Sequence, residues 1–247
     1  MPFDFCLLTF KGVFMLANNS QAFLEYLDDW YANLPELPLD DLLIDGAERV
    51  AVTCVDIIVG FCTDGALASP RVQSIVAPIA ELFKTAHAGG VRHFILPQDS
   101  HPVDAVEFGA FPVHCVRGTS EADTAPELRA LPFADSFTIF EKNSLSAALS
   151  TGFPAWVAEH PEVDTYIITG DCSDLCVYQL AMFLRLDANA RNVQRRVVLP
   201  AQCVDTYDTP LEVARELGLY AHPGDFHHVF SLHHMAANGV EVVKALK

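Results

Sequence analysis

A cysteine at a predicted strand–turn–helix junction is the strongest candidate for chemistry in this chain. Cys176 lies in TGDCSDLCV (169–177), after an apolar run and in the first turn of a predicted helix. The positive end of the helix macrodipole favours a thiolate and should lower the pKa of this thiol. Backbone N–H groups in such a turn can also hold an oxyanion. From position alone, a nucleophile and a buried structural cysteine are both open.

Two charged residues accompany apolar strands and extend this chemistry. Asp56 lies in the nearly all-apolar run 50–59, where a carboxylate is costly unless it is paired or functional. Lys142 follows the apolar run 136–141. A salt bridge or a capping role would explain Asp56 alone, and exposure to solvent would explain Lys142 alone. Together with a thiol, they would supply a nucleophile, a proton shuttle and an electrostatic partner.

A long loop, residues 97–124, holds a second set of candidates, in which imidazoles alternate with carboxylates. Two histidines with one or two carboxylates suit Zn²⁺, Fe²⁺ or Mn²⁺ and leave positions for water or a ligand. The alternative is a polar loop with incidental histidines. The candidate ligands are Asp99, His101, Glu107 and His114.

Several other patterns favour structural roles. Cys172 and Cys176 are spaced C-x3-C without a second pair, which disfavours a zinc ribbon. The chain has no GxGxxG, P-loop or GxSxG pattern, so neither a nucleotide site nor a serine elbow is indicated. The C-terminal part is rich in histidine, but it lacks HExxH, and neighbouring histidines fall on different sides of a helix. We expect these to be structural: His222, His227, His228, His233 and His234.

The elements that must position these residues alternate between strands and helices. Strands are predicted at 50–59, 91–96, 136–141, 164–169 and 195–200, with helices between several of them. This order predicts an α/β fold of three α/β/α layers, with a mainly parallel, doubly wound sheet of about six strands. Ligand sites in such sheets lie outside the carboxyl ends of the strands. The prediction therefore brings four reactive residues to one edge: Asp56, Asp99, Lys142 and Cys176.

Composition excludes several classes of protein. The 247 residues include 15 Lys and Arg against 32 Asp and Glu, which gives a net charge of −17. An acidic surface disfavours nucleic acids and anionic membranes as partners. Seven cysteines without paired spacing disfavour a disulfide framework and indicate a reducing compartment. We therefore expect a cytoplasmic protein.

The N-terminal region differs from the rest of the chain. Residues 1–47 are expected to be a helical extension, with a Pro/Leu/Asp-rich linker at 35–45, ahead of a single domain at 48–247. The first 16 residues are apolar but are interrupted by charge and lack a basic start, which disfavours a signal peptide. Translation from Met15 would be an equally good explanation of this segment.

The order of these residues resembles that of the isochorismatase-like cysteine hydrolases and, within them, the nicotinamidases. The resemblance covers residues 48–205 and rests on five motifs in order: VDIIVGFC (55–62), PQDSHP (97–102), FPVHCVRGTSEAD (111–123), FEKNSLSA (140–147) and TGDCSDLCV (169–177). It implies a small amide as substrate and commonly an oligomer of identical subunits.

The resemblance also implies roles for residues. Cys176 would attack the amide carbonyl and form a thioester, Asp56 would carry the thiol proton to the departing ammonia, and Lys142 would stabilise both. The N–H groups of Cys172 and Cys176 would hold the oxyanion, beside a cis peptide bond between Asp171 and Cys172. A divalent metal (Zn, Fe or Mn) on the four candidate ligands would bind the pyridine nitrogen, and one aromatic would pack on the substrate ring, here Phe61.

Some positions depart from the family pattern, and they leave the substrate open. Polar residues that often follow the catalytic aspartate are replaced by Ile58, Val59 and Gly60, and Asp171 stands where an apolar residue is usual. The expected function is hydrolysis of nicotinamide to nicotinate and ammonia. The alternatives are a metal-independent hydrolase of another small amide or ureide, and a non-catalytic metal-binding member of the fold.

Overall fold

A computed structural model describes residues 20–247 of the chain. The N-terminal predictions for residues 1–19 lie outside this range. The helices are α1 (Gln21–Ala32), α2 (Asp40–Leu43), α3 (Val59–Cys62), α4 (Pro70–Ala88), α5 (Pro126–Arg129), α6 (Phe153–Glu159), α7 (Cys176–Arg191), α8 (Leu211–Leu217) and α9 (Gly224–Ala237). The strands are β1 (Glu36–Leu37), β2 (Val50–Val55), β3 (His93–Asp99), β4 (Thr138–Lys142), β5 (Thr165–Asp171), β6 (Arg196–Pro200), β7 (Val204–Asp205), β8 (Glu241–Val243) and β9 (Ala245–Leu246).

The main sheet is parallel throughout. Its strand order is β4-β3-β2-β5-β6-β8, and the short β7 pairs with the end of β5. A second, two-stranded sheet joins β1 to β9, also in parallel. The predicted fold class is therefore confirmed, with one short strand more than the expected six in the main sheet.

Both faces of the sheet are covered, which explains why its central strands are apolar on both sides. Successive side chains of a strand point to opposite faces. In β2, Val50, Val52 and Cys54 pack with the apolar face of α4, whereas Ala51 and Val55 pack with α7 and α9. The uninterrupted apolar run in the sequence is thus the signature of a strand buried between two helical layers.

The strand order reverses between β2 and β5. The chain leaves β2 towards β3 and β4 on one side, and leaves β5 towards β6 on the other. Diverging loops at such a switch point open a crevice at the carboxyl ends of the strands. Gly170 in β5 has a φ of 111°, and a Cβ there would lie 2.0 Å from the carbonyl oxygen of Val55. Glycine is therefore required for the two central strands to lie this close beside the crevice.

The segment expected to be a linker is part of the packed structure. Residues 36–37 pair with 245–246, and Leu39 and Leu42 are 3% and 5% exposed within the core. The linker prediction was wrong because short strands and one-turn helices leave no periodic pattern in a sequence. The division into an extension and a domain at residue 48 stays a prediction. Across residues 20–247, no helix combines the length and apolar character that crossing a membrane requires.

Candidate active site

Four reactive side chains meet at the carboxyl edge of the sheet. Asp56 directly follows β2, Asp99 and Lys142 are the last residues of β3 and β4, and Cys176 is the first residue of α7. The β3–β4 register places Asp99 opposite Lys142. The rule that parallel strands present their carboxyl ends at one edge therefore accounts for this meeting.

Lys142 lies at the centre of the group. Its Nζ lies 2.7 Å from Oδ2 of Asp56 and 2.6 Å from Oδ1 of Asp99, and it donates to Sγ of Cys176 at 3.5 Å. All four residues are buried; Asp56 is fully inaccessible and Cys176 is 5% exposed. One ammonium thus neutralises two buried carboxylates and touches the thiol.

The backbone at Asp56 aims its carboxyl group at these partners. Asp56 has a φ of 55°, a left-handed conformation that is uncommon and strained for a residue with a side chain. Oδ1 accepts a hydrogen bond of 2.8 Å from the N–H of Asp99. Oδ2 touches Lys142 but has no hydrogen-bond partner of good geometry among the described residues. One carboxylate oxygen of Asp56, one of Asp99 and Sγ of Cys176 lie within 4.8 Å of one another.

The electrostatics of the two carboxylates differ in direction. Burial raises the pKa of Asp56, the charge of Asp99 adds to the rise, and Lys142 offsets only part of it. Burial also acts to raise the pKa of Asp99, but Lys142 and two histidines outweigh it, and the pKa falls well below its usual range. The pKa of Lys142 is raised well above its ordinary value, because both carboxylates outweigh its burial. Asp99 is therefore the ionised partner of Lys142, and Asp56 is the stronger base of the pair.

The pKa of Cys176 corrects a sequence-based expectation. Burial raises the pKa of this thiol, Lys142 lowers it, and the charges of Asp56 and Asp99 raise it again, so that the net pKa is well above its ordinary value. The helix macrodipole was expected to lower the pKa, but complete burial beside two carboxylates outweighs half a charge at a helix end. The resting sulfur is a thiol that must lose its proton to react.

The turn between β5 and α7 carries the two predicted oxyanion donors. The peptide bond between Asp171 and Cys172 is cis, as the resemblance implied. Ser173 and Val177 donate their N–H groups to the carbonyls of Asp205 and Cys172, respectively. The N–H groups of Cys172 and Cys176 donate to no other residue in the described range. These two donors are available to a ligand beside the sulfur.

The predicted metal ligands also meet, on the far side of Asp99 from Lys142. One donor atom each from Asp99, His101, Glu107 and His114 lies within 4.8 Å of all the others. Oδ2 of Asp99 lies 3.5 Å from Nε2 of His101 and 3.8 Å from Nε2 of His114. Asp99 therefore turns one oxygen to the lysine and the other to the two imidazoles.

Hydrogen bonds fix the orientation of both imidazole rings at this cluster. Nδ1 of His101 donates to Oδ1 of Asn143, and Nδ1 of His114 donates to the carbonyl of Pro112, both at 2.7 Å. In both rings Nε2 is therefore the nitrogen that faces Asp99 and is left to bind a cation, the arrangement usual for metal-bound histidines. Nε2 of His101 and Oε1 of Glu107 are buried without a hydrogen-bond partner among the described residues. This donor set fits a divalent cation.

Asn143 and Phe108 also lie at the candidate site, and they were not identified from the sequence. Asn143 directly follows Lys142, so the register that pairs Lys142 with Asp99 brings the next residue beside His101. The ring of Phe108 lies 5.5 Å from that of His101 and 5.6 Å from that of His114. Phe61, the predicted substrate contact, lies 5.6 Å from the ring of His114. The pairing of Asp99 with Lys142 could have indicated that Asn143 lies near His101. A single aromatic residue in a loop, such as Phe108, gives no comparable signal in the sequence.

His222 and His227 form a stacked pair that does not suit a shared metal ion. His222 and His227 lie near Asp174, but their rings are stacked at 4.0 Å with an interplanar angle of 4°. An imidazole nitrogen binds a metal in the plane of its ring, so one ion cannot satisfy both parallel rings. His222 instead pairs with Asp174 at 2.8 Å. The cysteines in the described part of the chain are free and buried: Cys54, Cys62, Cys115, Cys172, Cys176 and Cys203.

Comparison with known proteins links this arrangement to a group of enzymes. Residues 50–245 match the model of the isochorismatase domain. Nicotinamidase 1 of Arabidopsis thaliana is 28% identical over 233 residues, which cover 85% of this chain and 93% of that protein. With its thiol site, the protein is therefore a cysteine-dependent hydrolase that acts on amides. The chain belongs to the isochorismatase family.

Solved structures show the same fold at low identity. A cysteine hydrolase from Pseudomonas syringae pv. phaseolicola has a TM-score of 0.65 and 22% identity, covering 81% of this chain and 90% of that one. A pyrazinamidase of Pyrococcus horikoshii in complex with zinc has a TM-score of 0.60 and 20% identity, covering 79% of this chain and 99% of that one.

Proposed function

We propose that this protein is a nicotinamidase, which hydrolyses nicotinamide to nicotinate and ammonia. The observation that carries the proposal is the position of Asp99 between two groups of side chains. One of its oxygens faces the lysine and the thiol, and the other faces the imidazoles. Nicotinamide carries its ring nitrogen and its carboxamide on one small ring, so a site for it must place both recognition groups side by side. The similarity to a protein named nicotinamidase supports the same substrate.

The thiol, the carboxylate and the ammonium divide the chemistry. Sγ of Cys176 attacks the amide carbon while its proton passes to Oδ2 of Asp56. When the C–N bond breaks, that proton goes to the nitrogen, and ammonia leaves a thioester on Cys176. Water then attacks the thioester and gives one proton to Asp56. As the C–S bond breaks, Asp56 returns that proton to Sγ, and the nicotinic acid formed loses its own proton to solvent and departs as nicotinate. Since the pKa values of both Cys176 and Asp56 are raised, a neutral thiol and a competent base are paired at rest.

Charge that develops on the carbonyl oxygen needs donors aimed at it. The unengaged N–H groups of Cys172 and Cys176 supply two such donors in the turn beside the sulfur. The positive charge of Lys142 neutralises the carboxylate of Asp56 when Asp56 is ionised. Phe61 and Phe108 border the two imidazoles and provide apolar surface for a pyridine ring.

The four-residue cluster would hold the metal. A divalent ion on Asp99, His101, Glu107 and His114 would supply a Lewis-acid contact for the ring nitrogen and orient the substrate. The fixed Nδ1–H donors of both histidines and the unpartnered Oε1 of Glu107 support this assignment. Which of zinc, iron or manganese is native is decided by metal analysis of the purified protein.

Ammonia release from nicotinamide tests the proposal. The wild-type protein should release ammonia, and Cys176→Ala should lower the rate by about 10³-fold or more, since a nucleophile has no substitute. Cys203→Ala is the matched control, because it removes a buried thiol from the core without touching the proposed site. Equal rates in wild type and Cys176→Ala would exclude this nucleophile.

The same assay separates the two hydrolase functions. If the wild type leaves nicotinamide intact but releases ammonia from another small amide or ureide through Cys176, the alternative substrate class is correct. Chelation followed by return of zinc, iron or manganese should abolish and restore activity on nicotinamide. Full activity after complete metal removal would argue against the proposed contact between the metal ion and the ring nitrogen of nicotinamide.

A further inference from the structure

The turn that carries the nucleophile is held by a buried chain of hydrogen bonds. Ser173 lies between the two proposed oxyanion donors and is fully inaccessible. Its N–H donates to the carbonyl of Asp205 at 2.9 Å, and its Oγ lies 3.0 Å from Nδ1 of His228. Backbone and side chain of Ser173 are thus fixed by two different elements, β7 and α9. Any shift of these partners moves the turn.

The chain continues from His228 to the N-terminal helix. Nε2 of His228 lies 3.1 Å from the hydroxyl of Tyr31, and the two rings meet edge to face at 5.5 Å. His228 is 5% exposed, and burial lowers its pKa, so the imidazole is neutral. A neutral ring has one donor and one acceptor nitrogen, and Ser173 and Tyr31 satisfy both in either tautomer.

Helix α1 is fixed against α9 by more than this one bond. Leu27 is buried. Three aromatic rings of α1 surround the ring of His233, which lies five residues after His228 in α9. Their centroid distances to His233 are 5.8 Å for Phe23, 5.5 Å for Tyr26 and 5.2 Å for Trp30. The hydroxyl of Tyr31 is therefore presented to His228 by a docked helix. This helix lies outside residues 50–245, which match the family domain.

We propose that His228 is a positioning residue for the nucleophile turn and that Tyr31 makes helix α1 part of the active-site support. This inference rests on the proposed function, because the position of the turn matters when its N–H groups and Cys176 act on a substrate. Donors that stabilise developing charge lose much of their effect when they are displaced by about 1 Å. The expected signature is a fall in kcat with little change in KM.

Two substitutions of His228 test its hydrogen bonds to Ser173 and to Tyr31 one at a time. The amide of asparagine lies near the position of Nδ1, so His228→Asn should keep the bond to Ser173. The amide of glutamine lies near Nε2, so His228→Gln should keep the bond to Tyr31 and lose the bond to Ser173. For ammonia release from nicotinamide, we expect His228→Gln to lower kcat about 10- to 100-fold, with KM within about 3-fold. His228→Asn should retain kcat within about 3-fold.

Tyrosine substitutions test the role of the helix. Tyr31→Phe removes one hydroxyl and should lower kcat by about 3- to 10-fold at unchanged KM. Tyr26→Phe is the matched control on the same helix: its hydroxyl lies 3.4 Å from Nε2 of His233, whereas the described side-chain bonds of Ser173 and His228 do not involve it. Its kcat should equal that of the wild type.

The rate of Cys176 alkylation by iodoacetamide gives a readout that does not depend on the substrate. It should fall in His228→Gln and Tyr31→Phe and be unchanged in His228→Asn and Tyr26→Phe, in protein shown to be folded by its thermal unfolding. Full kcat and wild-type alkylation in folded His228→Gln would overturn the positioning role. If the wild type releases no ammonia from nicotinamide, the proposed function fails, and the alkylation rates alone decide this inference.

Discussion

Nζ of Lys142 lies 2.6 Å from Oδ1 of Asp99, and this contact joins the two halves of the candidate site. The other carboxylate oxygen of Asp99 faces the imidazoles of His101 and His114. A buried carboxylate needs neutralisation, and Lys142 supplies the positive charge that Asp99 contacts. A substitution on one side of Asp99 should therefore change the electrostatic environment of the residues on its other side.

Replacing Lys142 should destabilise the protein as well as inactivate it. Lys142→Met leaves Asp56 and Asp99 buried without their cation, and the free energy of unfolding should fall by about 3 to 5 kcal/mol. Urea unfolding measures this loss. Lys84→Met is the control, since Lys84 forms an exposed pair with Glu81 and should change stability little. Equal stabilities of the two variants would show that the buried cation is unimportant.

Removing Asn143 should weaken metal binding without removing a ligand. Asn143→Ala deprives Nδ1 of His101 of its acceptor, so the ring can rotate or change tautomer. Loss of such an outer partner typically lowers metal affinity about 10- to 100-fold. Competition with a chromogenic chelator measures the affinity of the protein for zinc. Asn238→Ala, at the end of α9, should bind zinc as the wild type does, and an unchanged affinity in Asn143→Ala would contradict the assignment.

The pair of Asp174 and His222 should stabilise the fold over a defined pH range. Burial acts to lower the pKa of His222, but Asp174 outweighs it and raises the pKa; burial acts to raise the pKa of Asp174, but His222 outweighs it and lowers the pKa. The histidine contribution is complete below about pH 6.5 and is lost as pH rises through its folded pKa. The aspartate contribution is present above about pH 4 and is lost as pH falls further.

Asp174→Asn should therefore lower the free energy of unfolding by about 1 to 3 kcal/mol at pH 6, and by less at pH 9. Urea titrations at both pH values measure the difference. Glu81→Gln removes a carboxylate from an exposed pair and should show no such pH dependence between 6 and 9. A loss that is the same at both pH values would mean that His222 is not charged in this pair.

The segment 35–45 should contribute to stability in a position-dependent way. Leu42 is 5% exposed and packs in the core, so Leu42→Ala should cost about 2 to 4 kcal/mol in free energy of unfolding. Ile44, two residues on, is 80% exposed, and Ile44→Ala should stay within about 0.5 kcal/mol of wild type. A flexible linker would make both substitutions neutral, and thermal unfolding distinguishes the two cases.

Much of the fold was predictable because long parallel strands have a strong local signature. The apolar run at residues 50–59 predicts a strand buried on both faces, and β2 occupies its first six residues. The strand stops at Val55 because Asp56 turns into a left-handed conformation, which an apolar pattern does not reveal. The paired strands β1 and β9 were missed because two-residue strands depend on each other and on nothing local.

The candidate site was predictable where it follows from strand ends and not where it follows from side-chain contacts. Asp99 and Lys142 end adjacent strands, so their meeting is a consequence of topology. The bond between Ser173 and His228 joins residues 55 positions apart, and no spacing rule connects them. The same holds for Asn143, whose role depends on the orientation of one imidazole.

The order of the long strands and helices, and the sheet edge at which the candidate residues meet, follow from local patterns in the sequence. The burial, the charge partners and the pKa of each candidate residue depend on tertiary packing. The pKa of the Cys176 thiol depends on burial and on two carboxylates that arrive from other strands, and these outweigh the local helix end. Local patterns are encoded within a few residues of one another, whereas dielectric environment and charge pairing arise only when distant segments have packed together.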